Sequence, residues 1–400
     1  MSANRTQGLR ENLGQFSVLV LVNAFVGAMI GLERSIFPQY AQEFFGISSA
    51  SAILAFITAF GITKAAANYF AGRWANRYGR RRTLLLGWIF ALPVPFLLLN
   101  APSWSWVITA NVLLGINQGL AWSSTVIMKI DLVGERKRGL AMGINEFAGY
   151  LAVGLAAFGT GWLAEHYGLR PYPFYLGMAI SWLGLLLSLF AARETRDLIQ
   201  LERSGHDQAD NVFWNTTLKN PNLSSITQAG LVNNLNDGMI WGLLPMLLVS
   251  LHFDNAQIGL LVALYPAVWG MGQLFTGRLA DRYRIKPILL TGMIVQGLVI
   301  LGLTRVTEFY TIAALSICLG LGTALVYPTF LTGIAQFAHP EQRAESIGAF
   351  RLWRDLGYAI GAVLSGIIAD RFGIPAAIMA IGVLTLLSAV VVQFRMPRST

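Results

Sequence analysis

Eight ionisable side chains fall inside long apolar stretches of this 400-residue chain: Glu33, Arg34, Lys64, Glu146, Asp237, Arg351, Arg354 and Asp355. A charge in such a setting costs several kcal/mol unless it meets a partner or water. These positions are therefore where chemistry is expected. Carboxylates there can take up and release protons as their surroundings change, which makes Asp237, Glu33, Glu146 and Asp355 the candidate proton carriers. The basic set Arg34, Lys64, Arg351 and Arg354 suits an anionic or zwitterionic organic solute. Arg351 and Asp355 are four apart and equally suit mutual neutralisation, while Lys64 and Asn68 suit a lock between two helices. Lys129 and Asp131 stand at the end of a segment, where Lys129 is expected to snorkel to the surface.

At 100° per residue, the remaining polar side chains form faces, and Asn23, Asn111, Gln118, Trp122, Asn233 and Trp241 on them are expected to line the substrate cavity. Asn111, Gln118, Trp122, Thr125 and Lys129 share one direction on the fourth segment. Asn233, Asp237 and Trp241 recur every four residues on the seventh. Arg351, Arg354, Asp355 and Tyr358 follow helical spacing on the eleventh. Asn23 and Arg34 share a face of the first, whereas Glu33 points about 100° away from Arg34 and is expected to serve a different contact. The aromatic residues Tyr265, Trp269, Tyr327 and Trp353 are read as cavity-shaping or as core.

The elements that must position these groups follow from composition. The chain is 55% hydrophobic and only 12% charged, about half the charge of a soluble domain. Its apolar runs are of membrane-spanning length. Twelve are marked, near 14–37, 49–71, 83–100, 105–128, 140–163, 172–192, 225–250, 256–277, 287–304, 309–331, 345–368 and 373–394. Backbone groups in lipid must be satisfied within each segment, so these are helices rather than open strands. The third, sixth, ninth and twelfth hold no ionisable residue and are expected to be peripheral.

Formal net charge is +9. The basic residues cluster in short loops, which argues for membrane topology and against nucleic acid. The two termini and the even-to-odd loops hold 21 of the 29 Lys and Arg residues, against three (Arg170, Arg305, Arg371) on the other side. Both termini are thus expected in the cytoplasm, as in a multi-pass protein of the cell inner membrane. The single cysteine, Cys318, excludes an intrachain disulfide. Four scattered histidines supply no metal site, and no nucleotide-binding loop of Walker type, nucleophile elbow or other catalytic constellation is present. No cofactor, ATP dependence or enzymatic activity is expected, and a monomer is expected to suffice.

A polar stretch at 193–222 reads as a cytoplasmic linker between six-helix halves at 1–192 and 223–400. The halves repeat: a shift of 205 places Gly72 on Gly277, Arg77 on Arg282, Gly143 on Gly348, Gly161 on Gly366 and Gly168 on Gly373. Parallel repeats mark one class of secondary transporter, with solute bound between the halves.

The loop after the second segment reads Gly72-Arg73-Trp74-Ala75-Asn76-Arg77-Tyr78-Gly79-Arg80-Arg81-Arg82, and its second copy begins Gly277-Arg278-Leu279-Ala280-Asp281-Arg282. This double loop, twelve segments and a central linker resemble the major facilitator superfamily over nearly the whole chain. The resemblance implies an all-α integral membrane protein, with twelve transmembrane helices as two six-helix parallel repeats around a central cavity. It implies a secondary transporter working by alternating access in the lipid bilayer, and proton coupling is expected. Asn76 stands where the family usually has Asp. Gly115 replaces the helix-4 Arg, and Ala156-Ala157 the helix-5 Gly-Pro pair, of proton-coupled drug exporters. A small organic solute is therefore preferred as substrate over the alternative of drug or metabolite efflux. A non-transporting membrane sensor of the same fold is the third reading.

Overall fold

The computed structural model describes residues 7–133, 138–199, 211–339 and 342–397. Arg136, Lys137 and residues 200–210 of the expected linker lie outside the described residues.

Long helices account for every expected segment. We number them α1 (Leu13–Arg34), α2 (Ala50–Tyr78), α3 (Arg80–Leu99), α4 (Trp104–Asn117, continued by Gln118–Trp122 and Ser123–Val133), α5 (Arg138–Tyr167), α6 (Tyr172–Phe190), α7 (Pro221–Ser250), α8 (Asn255–Arg282), α9 (Ile285–Leu303), α10 (Phe309–Phe337), α11 (Arg343–Phe372) and α12 (Ile374–Arg395). Ten are individually long and apolar enough to cross a membrane among the described residues. The other two are α4 and α7, which carry the densest polar faces. In α4 a π-helical turn at Gln118–Trp122 divides the helix, and in α7 Asn233, Asn234, Asn236 and Asp237 interrupt the apolar run.

The first segment ends sooner than expected. After Arg34 the helix ends at a turn, and Phe37–Phe45 forms a separate short helix with Pro38 in its first turn, where the missing amide hydrogen costs nothing. Arg170 fastens this helix, lying 4.6 Å from both the Tyr40 and Phe44 rings and donating to Ala101 O at 3.2 Å.

Close backbone approach holds α1 to α5. A Cβ on Gly27 would sit 2.1 Å from Gly149 O, and one on Gly31 2.3 Å from Val153 O. In the second half, α7 and α11 pack the same way, Gly238 against Tyr358 O and Gly361 against Leu235 O, each at 2.3 Å. The halves meet along two seams, α5 with α8 and α2 with α11. Helices α3, α6, α9 and α12 stand outside these seams and expose apolar side chains such as Ile89, Trp182, Leu298 and Phe394, as expected of lipid-facing helices. Lys286, at the start of α9, is buried and donates to Gln393 O and Met396 O, both at 2.7 Å, tying α9 to the end of α12.

Part of the expected linker is packed structure. Residues 215–219 form a π-helical turn held to α11 by Thr216 Oγ1 and Ser346 Oγ at 3.1 Å and by Trp353 Nε1 donating to Thr217 Oγ1 at 3.1 Å. Of the two readings of Trp353, cavity or packing, this contact is a packing one.

Candidate functional site

The expected site residues separate into a cluster between the halves and a network inside the first half. The cluster is built by α1, α2, α7, α8, α10 and α11. Arg34 is buried, with its guanidinium carbon 4.1 Å from the Trp241 ring centre, 5.3 Å from Phe60 and 5.9 Å from Phe56. Its Nε, Nη1 and Nη2 have no hydrogen-bond partner among the described residues. Aromatic faces favour a cation but leave its donors unused.

Asp237 sits opposite on α7. Tyr265 Oη donates to its Oδ1 and lies 3.3 Å from Thr323 Oγ1; Oδ2 has no partner among the described residues. Arg354, Lys64 and Arg34 are all within electrostatic reach of this carboxylate. Trp269 stacks on Tyr150 at 3.5 Å and on Tyr265 at 5.9 Å, with its Nε1 unpartnered. Trp241 stacks on Tyr358 at 4.9 Å. Asn233 is buried beside Asn234, with Nδ2 3.4 Å from Asn234 Oδ1.

At the α2–α11 seam, Asp355 is held by Lys64 and Arg354, each at 3.8 Å, and by Asn68 Nδ2. The pairing of Arg351 with Asp355 is thus replaced: Arg354 and Lys64 take the carboxylate, because Lys64 reaches across the seam. Arg351 is half-buried beside them. Arg354 lies 4.3 Å from the Tyr327 ring and keeps Nε and Nη2 free of partners.

The second group faces inward within the first half. Glu33 accepts from Asn111 Nδ2 at 3.3 Å, so it turns away from Arg34 as the helical phase implies. Gln118 Nε2 donates to Val26 O at 2.7 Å. Asn23 donates to Asn145 O at 2.8 Å and accepts from Thr125 Oγ1 at 2.8 Å. Glu146 accepts from Trp122 Nε1 at 3.1 Å and Asn145 Nδ2 at 2.9 Å. Lys129 does not snorkel: it is buried and donates to Leu19 O at 3.1 Å, because its face of α4 packs against α1. The polar face of α4 therefore joins helices, and only Trp122, 5.3 Å from Tyr150, borders the aromatic stack.

Residues that sequence reasoning passed over are Tyr150, Thr323 and Asn145. Tyr150 lies one helical turn after Glu146 and shares its face of α5, a spacing that could have marked it.

The signature loop closes α2 and opens α3. Gly72, Asn76 and Arg77 lie on the last turns of α2, and Gly79 has φ 100°, a value that favours glycine. Arg80 Nε donates to Asp131 at 3.2 Å, and the amides of Arg80 and Arg81 donate to Glu194 at 3.0 and 3.1 Å. Asp131 also accepts from Thr195 Oγ1 at 2.8 Å. The loop thereby joins the ends of α2, α4 and α6. Gly277, Asp281 and Arg282 close α8 in the same position, and the Asp281 side chain lies outside the described residues.

The sequence pattern of the Major Facilitator Superfamily matches residues 19–232 and again 226–400. The chain belongs to this superfamily. It resembles the multidrug resistance protein MdtG of Salmonella typhimurium, 25% identical over 359 residues, 87% of this chain and 86% of the relative. Two solved structures share the fold, each covering 94% of this chain and 95% of their own at TM-score 0.75. One is a bacterial homologue of the human lysosomal transporter Spinster, inward-facing and unoccupied, at 13% identity. The other is a POT family transporter with a thioalcohol-conjugated peptide, at 12% identity. This major facilitator protein is accordingly a multi-pass membrane transporter and not an enzyme.

Proposed function

We propose that the chain carries a small organic solute with an anionic or zwitterionic group across the inner membrane, by alternating access of halves 1–192 and 223–400 joined through 193–222. The observation that carries this is Arg34: a buried guanidinium at the α1–α7 meeting, framed by aromatic rings, with all its donors unpartnered. Such a fork matches a carboxylate or phosphate in two parallel hydrogen bonds. Arg354 presents two more free donors nearby, and Trp241, Tyr265, Trp269 and Tyr327 give the solute's apolar part flat surfaces.

Asp237 is the proposed proton carrier. It pairs a Tyr265 hydrogen bond with a free oxygen and lies between cations whose approach changes as the halves rock. Glu33 and Glu146 are next, each with one free oxygen, whereas Asp355 is committed to its ion pairs. The loop charge distribution supports cytoplasmic termini. The test is a binding screen on purified protein that compares organic anions with lipophilic cations. Anion binding lost in Arg34→Gln supports this reading.

A second reading is drug efflux. It is favoured by the MdtG relatives and by the stacked Tyr150, Trp269 and Tyr265 rings. Preference for lipophilic cations in the same screen would select it.

A further inference from the structure

On the face of the molecule opposite the termini, each half places a carboxylate on the first turn of a helix from the other half. Asp370, at the end of α11, accepts from the backbone amides of Ala50 at 2.6 Å and Ser51 at 3.1 Å, from Ser49 Oγ at 2.8 Å and from Ser51 Oγ. All four donors belong to the start of α2. Glu165, at the end of α5, accepts from the amide of Asn255, the first residue of α8, at 2.9 Å. The two contacts are copies of one another. The shift of 205 that relates the halves carries Glu165 onto Asp370 and Asn255 onto Ala50 in return.

The backbone behind each carboxylate repeats too. The sequences are Gly161-Trp162-Leu163-Ala164-Glu165 and Gly366-Ile367-Ile368-Ala369-Asp370. One helical turn before each acid, the glycine lies flat on the partner helix: a Cβ on Gly161 would be 2.7 Å from Gly259 Cα, and one on Gly366 2.7 Å from Ser51 Cα. The acid and the glycine share a face because they are four residues apart. The glycine brings the backbones together, and the carboxylate then reaches amides that have no partner within their own helix. At the end that carries the termini the approach is looser: among the described residues a Cβ on Gly72, Gly277 or Gly348 would meet nothing within 4 Å, and one on Gly143 would lie 3.5 Å from Gln273 O, an ordinary contact.

We infer that Glu165 and Asp370 form a paired latch that holds the two halves shut on the face opposite the termini, and so sets the balance between the two access states. The latch rests on the alternating-access reading above. Both carboxylates are exposed to solvent, so the contact can open without desolvating a charge. A negative group at a helix N-terminus is nonetheless favoured by the amide dipoles and by charge-assisted hydrogen bonds. Asp370, with four donors, is the stronger member. Glu165, which accepts from the Asn255 amide, is the weaker.

Spin labels measure the balance directly in a Cys318→Ser background. Ser103→Cys with Glu308→Cys reports the latched face, and Tyr78→Cys with Tyr283→Cys the face of the termini. Glu165→Ala combined with Asp370→Ala is expected to shift the short-to-long ratio of the Ser103–Glu308 distance by about tenfold toward long, the scale of losing two helix-capping interactions. The Tyr78–Tyr283 distance then shortens, because rigid halves that part on one face approach on the other. Asp370→Ala alone moves the ratio more than Glu165→Ala alone, and Glu43→Gln, on the same face but outside the seam, leaves it where it was. Unchanged distributions in the double variant overturn the latch. Lengthening of both distances together also overturns it, since that reports loosened packing. A shift in distance in a protein that moves no solute leaves the latch standing and defeats the transport reading. Flux with unmoved distances defeats the latch alone.

Discussion

At the scale of residues, Arg34 and Asp237 have separate proposed roles, one for the solute and one for the proton. Arg34 is surrounded by rings that stabilise its charge without using its donors, so on the proposed reading an incoming anion would find a preformed fork. Arg34→Gln removes charge and fork together. Affinity for an identified anionic substrate should fall by about tenfold or more, in line with a charge-assisted hydrogen bond worth roughly 1.5–3 kcal/mol. Arg34→Lys keeps the charge and loses the paired geometry. It should fall between the two in an equilibrium binding measurement. Unchanged affinity in Arg34→Gln would remove the anion reading. Asp237→Asn imitates the protonated carboxyl. Gradient-driven accumulation in proteoliposomes should stop while solute exchange at equal pH continues. Accumulation at the wild-type rate would pass the coupling role to Glu33 or Glu146.

At the scale of elements, glycine positions decide how closely helices meet. Gly27 on α1 faces the Gly149 carbonyl of α5 at a spacing that leaves no room for a methyl group. Gly27→Ala should therefore force α1 off α5, at about 1–3 kcal/mol for an overpacked contact. A lower thermal unfolding midpoint in detergent checks it. Gly348→Ala on α11 enters open space and gains helix propensity, so its midpoint should hold or rise, by up to about 1 kcal/mol of stability. Equal midpoints for the two variants would show that the α1–α5 approach is looser than the structure has it. The π-helical turn in α4 belongs to the same scale. It lies where Gln118 reaches across to Val26 O and Asn117 to Gly87 O at 3.0 Å. Side-chain bonds to neighbouring helices thus hold the stretch where the α-helical ladder is interrupted.

At the scale of the whole molecule, the distribution of basic loops supports a single orientation. A cysteine at position 204, in a Cys318→Ser background, should resist an impermeant thiol reagent applied to intact cells. A cysteine at Glu308 should react. The reverse pattern would turn the protein over in the membrane. Rocking of the halves would then expose the Arg34–Asp237 cluster to each side in turn, with the α5–α8 and α2–α11 seams as the surfaces that slide.

Hydropathy and charge were enough to place the helices of this chain and its outer helices, because lipid leaves a segment of this composition almost no alternative to a helix, and matched residues at a shift of 205 marked the repeat. The phase of α1 likewise separated Glu33 from Arg34, since two adjacent residues on a helix must point to different neighbours. What periodicity could not decide was which neighbour each face would meet. The polar face of α4 was legible as a face, yet it turned out to join α1 and α5 and to bury Lys129. The partner of Asp355 came from α2 and from the adjacent Arg354, not from one turn away. The carboxylates of Glu165 and Asp370 lie at helix ends, where a charged residue attracts no notice in a sequence. Their partners are 90 and 319–321 residues distant. Contacts between halves depend on how two rigid bodies dock, a property of helix packing in three dimensions that no local spacing encodes.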